Sequence, residues 1–511
     1  MTYRRLACLT LTLALAGGLG DALAQTAGEA AQEGENDAPT LLQPGTEGEG
    51  SGGTTSGGAQ SGGAASGGAA SGGTESGGAQ PPAIKPASAA TLPNDVEREV
   101  LVEGMQEPMT LAVADDGRVF YVERLGNVKM WSEEAGLQDV HTFDVYTEEE
   151  HGLMGIALDP EFGSNNHIYV YYTPAQGEGN RLARLTYTDE GGEPSLDVES
   201  EEVLLKVPSA RDTCCHQAGD IEFGPDGKLY LSTGDNTNPF ESDGYAPIDR
   251  SQGRAYFNAL RTSSNLGDLR GKILRLNKDG SVPEDNPFVG TPNARPEIYA
   301  LGFRNPFRFI VDPDTGWLLV GNVGPDAETP APERGPAGQD EWHVITQPGQ
   351  DAGWPTCIGD NTPYENWNFA TNTSRGTFDC SGKTPAVIWY PYGPSEEFPE
   401  VDEGEVTEGR RGRNAQGGPI LRNLEGAEYA WSDSYTGKWL IYEWQRNFIK
   451  LATLNEDGTE VVEIEPFISN LVRPMDLKQG PDGALYLLEY GTNWFAPNED
   501  ARLSRITSTQ D

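Results

Sequence analysis

Gly224-Pro225-Asp226-Gly227-Lys228-Leu229-Tyr230 is a polar turn followed at once by an apolar, aromatic-bearing run. Asp-Gly between apolar segments is a hairpin signal, because glycine takes the positive φ that tight turns need. The pattern recurs. It stands at Asp115-Asp116-Gly117-Arg118-Val119-Phe120-Tyr121, at Asp159-Pro160-Glu161-Phe162 ahead of Ile168-Tyr169-Val170, and at Asp312-Pro313-Asp314-Thr315-Gly316-Trp317-Leu318. It returns at Asp433-Ser434-Tyr435-Thr436-Gly437-Lys438-Trp439-Leu440 and at Pro481-Asp482-Gly483-Ala484-Leu485-Tyr486, which makes six units. Six hairpins without long amphipathic helices predict an all-β chain folded as a six-bladed β-propeller, in which each sheet hides its faces against its neighbours. A pair of β-sandwiches is the competing architecture. The unequal spacing, widest between Trp317 and Trp439, predicts long mouth loops.

Outward from the first turn the same hairpin carries chemistry at its open end. The midpoint of 216 and 235 falls inside the turn, so His216 and Asp235 should face each other. A carboxylate beside an imidazole fixes its tautomer and stabilises its protonated form, as a general base requires. A histidine capping a strand end is the plainer alternative. Two loop regions add polar groups: Gly302-Phe303-Arg304-Asn305-Pro306, where proline excludes a regular helix, and Gly324-Pro325-Asp326 with Asp340-Glu341 downstream. Carbonyls at a Gly-Pro turn beside carboxylates suit Ca²⁺, which takes oxygen ligands.

The ends of the chain set its compartment. Arg4-Arg5, an apolar run from Leu6 to Leu19 and Ala22-Leu23-Ala24 form an export signal over residues 1–24. Residues 25–94 turn to Gly, Ser, Ala, Glu and Pro, with Ser-Gly-Gly repeated, and read as a flexible linker ahead of a propeller domain at 95–511. No later stretch approaches the ~18 apolar residues of a membrane span. A secreted or periplasmic protein is expected. In that setting four cysteines read as two disulfides, Cys357 with Cys380 across a polar loop and the vicinal pair Cys214 and Cys215, with metal binding by the latter pair the alternative. A net charge of −43 argues against nucleic acid and anionic membranes as partners.

Read in order, Gly152-Leu153-Met154-Gly155-Ile156-Ala157-Leu158-Asp159-Pro160, His216-Gln217-Ala218-Gly219, Gly234-Asp235, Gly271-Lys272-Ile273-Leu274-Arg275-Leu276-Asn277, Gly302-Phe303-Arg304-Asn305-Pro306, Gly324-Pro325 and Gly353-Trp354-Pro355 resemble the soluble quinoprotein glucose/sorbosone dehydrogenases. The chain is also similar to the fungal sugar dehydrogenases that use pyrroloquinoline quinone (PQQ), the pyranose dehydrogenases. The resemblance implies PQQ and Ca²⁺ at the mouth of the propeller and oxidation of a sugar C1 hydroxyl to the lactone. It makes His216 the general base, Asp235 its orienting carboxylate, and Gly324 and Pro325 the carbonyl ligands of the ion. Arg304, Asn305 and Arg473 would contact the cofactor, and Asp340 and Glu341 would hold a structural Ca²⁺ or support the mouth loops.

Three departures touch the cofactor clamp. Glu150 stands where the soluble glucose dehydrogenase has Gln, Gln445 where it has a clamp lysine, and Cys215 where it has an acid, which fits a vicinal disulfide beneath the quinone. Arg446 is a substitute for the missing lysine. Trp389, Tyr390 and Tyr392 suit either sugar stacking or blade packing. No Cys-x-x-Cys-His haem motif occurs, so electrons must leave to a separate acceptor, a quinone, cytochrome or dye. A metal-dependent lactone hydrolase and a propeller that binds sugar without chemistry are the alternative functions.

Overall fold

Each of the six turns joins the innermost strand of a sheet to its second strand, one turn per sheet. The computed structural model describes residues 90–211, 213–402 and 412–509, so the export signal and the linker up to residue 89 lie outside the described residues. Six four-stranded antiparallel sheets form the blades. Their innermost strands are Pro108–Val113, Leu153–Leu158, Ala218–Phe223, Pro306–Val311, Ala415–Ile420 and Pro474–Gln479, for blades 1 to 6. Each innermost strand touches the next, and the sixth touches the first. The ring is locked by Val96–Glu103, which pairs antiparallel with Arg502–Ser508 and so completes the last blade with the first strand of the domain. Ordered pairing begins slightly before residue 95, since Thr91 bridges to Ser469.

Side chains and close backbone contacts stitch blade to blade around the axis. Asp220 accepts from the Phe309 amide at 3.0 Å, Asp476 from Leu111 at 2.8 Å and Asp340 from Ala415 at 3.0 Å, so buried amides on neighbouring inner strands are satisfied. Gly155 is required where two inner strands converge: a Cβ there would lie 2.1 Å from the Gly219 carbonyl oxygen.

Strand direction decides where chemistry can collect. In an antiparallel blade the start of the innermost strand and the end of the second strand share one face. Glu150, His216, Arg304, Asn305 and Arg473 precede inner strands, whereas Asp235, Gly324, Pro325 and Gln445 follow second strands. All therefore gather at one mouth. The largest insertion, residues 346–387, leaves the far end of blade 4, runs parallel to Leu301 through the bridge to Asp351, and carries Trp354 up to that mouth. It contains two small hairpins and the Cys357–Cys380 disulfide.

Candidate active site

The hairpin register brings the predicted pair together. Ala218 pairs with Thr233, and two residues further out His216 Nδ1 lies 2.7 Å from Asp235 Oδ1. Asp235 is fully buried and fixed twice more, by the Trp354 indole N–H on Oδ2 at 2.8 Å and the Thr237 amide on Oδ1 at 2.9 Å. A carboxylate only accepts, so Nδ1 carries the proton and Nε2 is left as a lone-pair nitrogen on the cavity side. Nε2 has no hydrogen-bond partner among the described residues.

The turn that presents this ring is strained. Cys215, His216 and Ala218 have φ of 87°, 54° and 49°, a region that side-chain-bearing residues adopt at a cost of about 1–3 kcal/mol each. Glu150 holds the turn by accepting the amides of His216 and Gln217 at 3.2 and 3.4 Å. Cys214 and Cys215 are disulfide-bonded, and Cys215 lines the cavity. The metal alternative for that pair is thereby removed.

The cavity has a volume of about 230 Å³. Its floor across the axis is apolar, formed by Met109, Met154, Phe307 and Met475 from four different inner strands. His216, Arg304, Asn305, Asp326 and Arg124 supply polar and charged wall, and Trp444, Tyr490, Trp494, Phe495 and Phe240 an aromatic side. Phe240 and Phe495 are exposed at the rim, with relative accessibilities of 65% and 39%.

Arg304 donates to the Val323 carbonyl at 3.2 Å and lies 3.4 Å from Asp326. The Asn305 side-chain oxygen is buried with no partner. Arg473, next to the cavity, is stacked on Trp444 at 4.4 Å, and its Nε and Nη1 have no acceptor. Burial pulls its guanidinium down to about 10.

Arg124 escaped the sequence reading. It follows the second strand of blade 1 as Asp235 follows that of blade 3, and this register within the repeat is the signal that could have found it. Its Nε pairs with Glu107 at 2.6 Å. Trp354 was read only as part of a motif, and nothing local in the sequence marks it as a partner of Asp235.

Other expected residues have different employment. Gln445 packs on Gly412 and is not among the cavity walls. Arg446 does not replace the missing lysine: it is spent on the Val401, Pro391 and Gly412 carbonyls at 2.7, 2.8 and 3.1 Å. Asp340 accepts the Gly324 and Ala415 amides, and Glu341 accepts the Gly359 amide at 2.7 Å and Asn322 Nδ2 at 2.9 Å, so both brace the mouth loops. Tyr390 is buried and stacked on Trp342, which is packing. Tyr392 donates to Asp326 at 2.9 Å.

Two of the donors expected to bind calcium are engaged within the chain. The Pro325 carbonyl accepts from Arg413 Nη2 at 2.6 Å, and Asp340 is engaged by backbone amides. No cluster of three metal-ligating His, Cys, Asp or Glu side chains occurs among the described residues.

A propeller with a carboxylate-backed imidazole facing a cavity of mixed charge at its mouth has the groups of an enzyme site: Arg124 and Arg304 stand beside Glu150 and Asp326 in the wall. The sequence model described as Glucose / Sorbosone dehydrogenase matches residues 105–395, more than half of the chain. The chain belongs to that family, and so to the oxidoreductases. It is 26% identical over 317 residues to the aldose sugar dehydrogenase YliI of Escherichia coli (strain K12), covering 60% of this chain and 76% of the relative. It is 28% identical over 302 residues to the quinoprotein glucose dehydrogenase B of Acinetobacter calcoaceticus, covering 56% of this chain but only 58% of that protein. Among solved structures, an oxidoreductase (glucose dehydrogenase) of Thermus thermophilus superposes with a TM-score of 0.57 at 27% identity, over 80% of this chain and 99% of the other.

Proposed function

We propose that this chain oxidises the C1 hydroxyl of an aldose or related pyranose to the lactone, with PQQ as cofactor and His216 as general base. One observation carries the reading: the His216–Asp235 pair, 2.7 Å apart, presents a free Nε2 to a cavity with an apolar floor and Arg304 in its wall. Those walls suit a flat, carboxylate-bearing ring. The methionine and phenylalanine floor accepts an aromatic face, and Arg304 in the wall, with Arg473 beside the cavity, supplies positive charge for anionic oxygens. The orphaned Asn305 oxygen adds an acceptor.

Between that floor and Arg304, PQQ would supply the quinone chemistry needed for the C1 hydride of the sugar. His216 Nε2 takes the hydroxyl proton, a contribution of typically 10²–10⁴-fold. Asp235 stabilises the imidazolium that forms, and Trp354 keeps the carboxylate oriented towards it. Phe240, Trp494 and Phe495 offer a stacking face for the pyranose, with Phe240 and Phe495 at the rim. The electrons then pass to a separate acceptor, a quinone, cytochrome or dye. Calcium has no ready place at the Gly324–Pro325 turn, where Arg413 already holds the Pro325 carbonyl. Two disulfides support work in a secreted or periplasmic setting.

The test mixes purified full-length chain with PQQ and follows dye reduction across a panel of aldoses, with lactone formation read separately. Sugar-dependent reduction that His216→Ala abolishes is the expected result. Undiminished turnover in that variant would remove the proposed base, and lactone hydrolysis without PQQ would favour a hydrolase instead.

A further inference from the structure

A cation stands where the sequence pointed to a metal. Arg413 lies just ahead of the innermost strand of blade 5 and is 7% exposed. Its guanidinium covers the Tyr392 ring at 3.9 Å, donates through Nη2 to the Pro325 carbonyl at 2.6 Å and brings Nη1 to 3.6 Å from Asp340 Oδ1. Nε and Nη1 find no acceptor at hydrogen-bond distance among the described residues. The surrounding oxygens of Pro325, Asp326 and Asp340 are the hard, negative set that would draw Ca²⁺. A guanidinium is charged at every accessible pH and already compensates them. A second positive ion on the same carbonyl would meet it across a few ångströms of poorly screened space, which is strongly repulsive.

Asp326, next to the turn, lies 3.4 Å from Arg304 and accepts from the Tyr392 hydroxyl at 2.9 Å. Asp326 and Asn414 both line the cavity, so Arg413 sits directly behind that wall.

We propose that Arg413 is the resident cation of the cofactor site: it takes the charge role of a metal at the Gly324–Pro325 turn, and the chain holds a carboxylate-bearing ortho-quinone without calcium. The inference rests on the PQQ reading. Arg413 acts as a positioning residue: from behind the wall its charge fixes the Pro325 carbonyl and the Tyr392 ring and leaves the wall positive towards an anionic cofactor.

The experiment strips the full chain with EDTA, incubates it with PQQ in EDTA or in excess calcium, and desalts it. Bound quinone is measured by absorbance and bound calcium by elemental analysis. Equal quinone retention in both conditions, without stoichiometric calcium, is expected. Arg413→Gln should lower quinone affinity in EDTA about tenfold to a hundredfold, because the charge-assisted hydrogen bond that fixes the Pro325 carbonyl is lost with the charge, and calcium should partly restore it. Arg413→Lys should need no calcium. Quinone retained by the wild type only with stoichiometric calcium overturns the proposal, and that result requires no variant to fold. Quinone retained in neither condition defeats the PQQ reading itself, and this inference falls with it.

Discussion

The two faces of the propeller are built on opposite rules. On the far face the turns after three of the inner strands repeat almost atom for atom. In blades 1, 3 and 6, Gly117, Gly227 and Gly483 donate to the carbonyls of Ala114, Gly224 and Gly480 at 2.9, 2.9 and 3.0 Å. Asp116, Asp226 and Asp482 then accept the amide two residues on, at 3.2, 3.0 and 3.1 Å. At the mouth the residues ahead of the inner strands change around the ring: glutamate in blades 1 and 2 (Glu107, Glu150), histidine in blade 3, an arginine-asparagine pair in blades 4 and 5 (Arg304-Asn305, Arg413-Asn414) and a lone arginine in blade 6. Repetition specifies the ring, and departure from it specifies the site.

If that division holds, mouth substitutions remove activity and far-face substitutions remove stability. The largest effect belongs to His216→Ala, with a loss of about 10²–10⁴ in kcat/KM for sugar while the β circular dichroism spectrum is kept. Asp235→Asn should also lose activity through the imidazole it orients, and the pH profile is the readout that distinguishes it from a cavity effect. Unfolding of either variant at room temperature would break the division.

Next in size is a substitution at the far end of the channel. Lys478 in blade 6 pairs with Glu222 of blade 3 and lies 3.6 and 4.0 Å from Asp476 and Asp220. Burial alone would pull its ammonium down, but the three carboxylates hold it above its ordinary value. Lys478→Met leaves that acidic group uncompensated and should cost about 3–5 kcal/mol of stability. Denaturant titration measures it, and turnover per folded molecule should not change.

Much of this contrast was legible in the sequence because turns and register are local. Asp-Gly spacing located one turn per blade, and the same arithmetic set His216 opposite Asp235. Arg413, Trp354 and Arg124 were missed because what they touch is far away in the chain. Trp354 meets Asp235 only after the blade 4 insertion climbs past Leu301. Arg413 meets Pro325 only because blades 4 and 5 are neighbours in the ring. Residue type at Arg446 pointed towards the cofactor, yet nearby carbonyls consume its donors.

Two histidines at the mouth sharpen the comparison further. His151 is fully buried, with Nδ1 3.1 Å from the Glu148 carbonyl and Nε2 3.1 Å from the Ser209 hydroxyl. Burial, helped by Arg211 and Arg124, pulls it down to about 4. Its folded value is below the unfolded one, so the unfolded chain binds the extra proton between the two. Stability is therefore lost as pH falls from about 6.5 towards 4, by up to about 1.4 kcal/mol per unit. Denaturation series at several pH values should show that slope, and His151→Gln should flatten it. In the proposed mechanism the proton is taken by His216, so His151→Gln should leave the shape of the activity profile intact.

The smallest effects test whether the far-face turns are truly equivalent. Gly117 and Gly227 have φ of 84° and 69°, and a Cβ at either would meet nothing within 4 Å. Alanine there suffers only the left-handed backbone, about 1–2 kcal/mol, and the two losses should add because the sites belong to separate blades. Gly483 has the same conformation, at 87°, but its Cβ would lie 2.2 Å from the Tyr429 carbonyl oxygen, on a loop of blade 5 folded over the turn. Gly483→Ala must therefore displace backbone as well and should cost clearly more than either of the others. Equal losses at all three positions would mean that the blade 5 loop yields freely, and that the far face is only a row of independent hairpins.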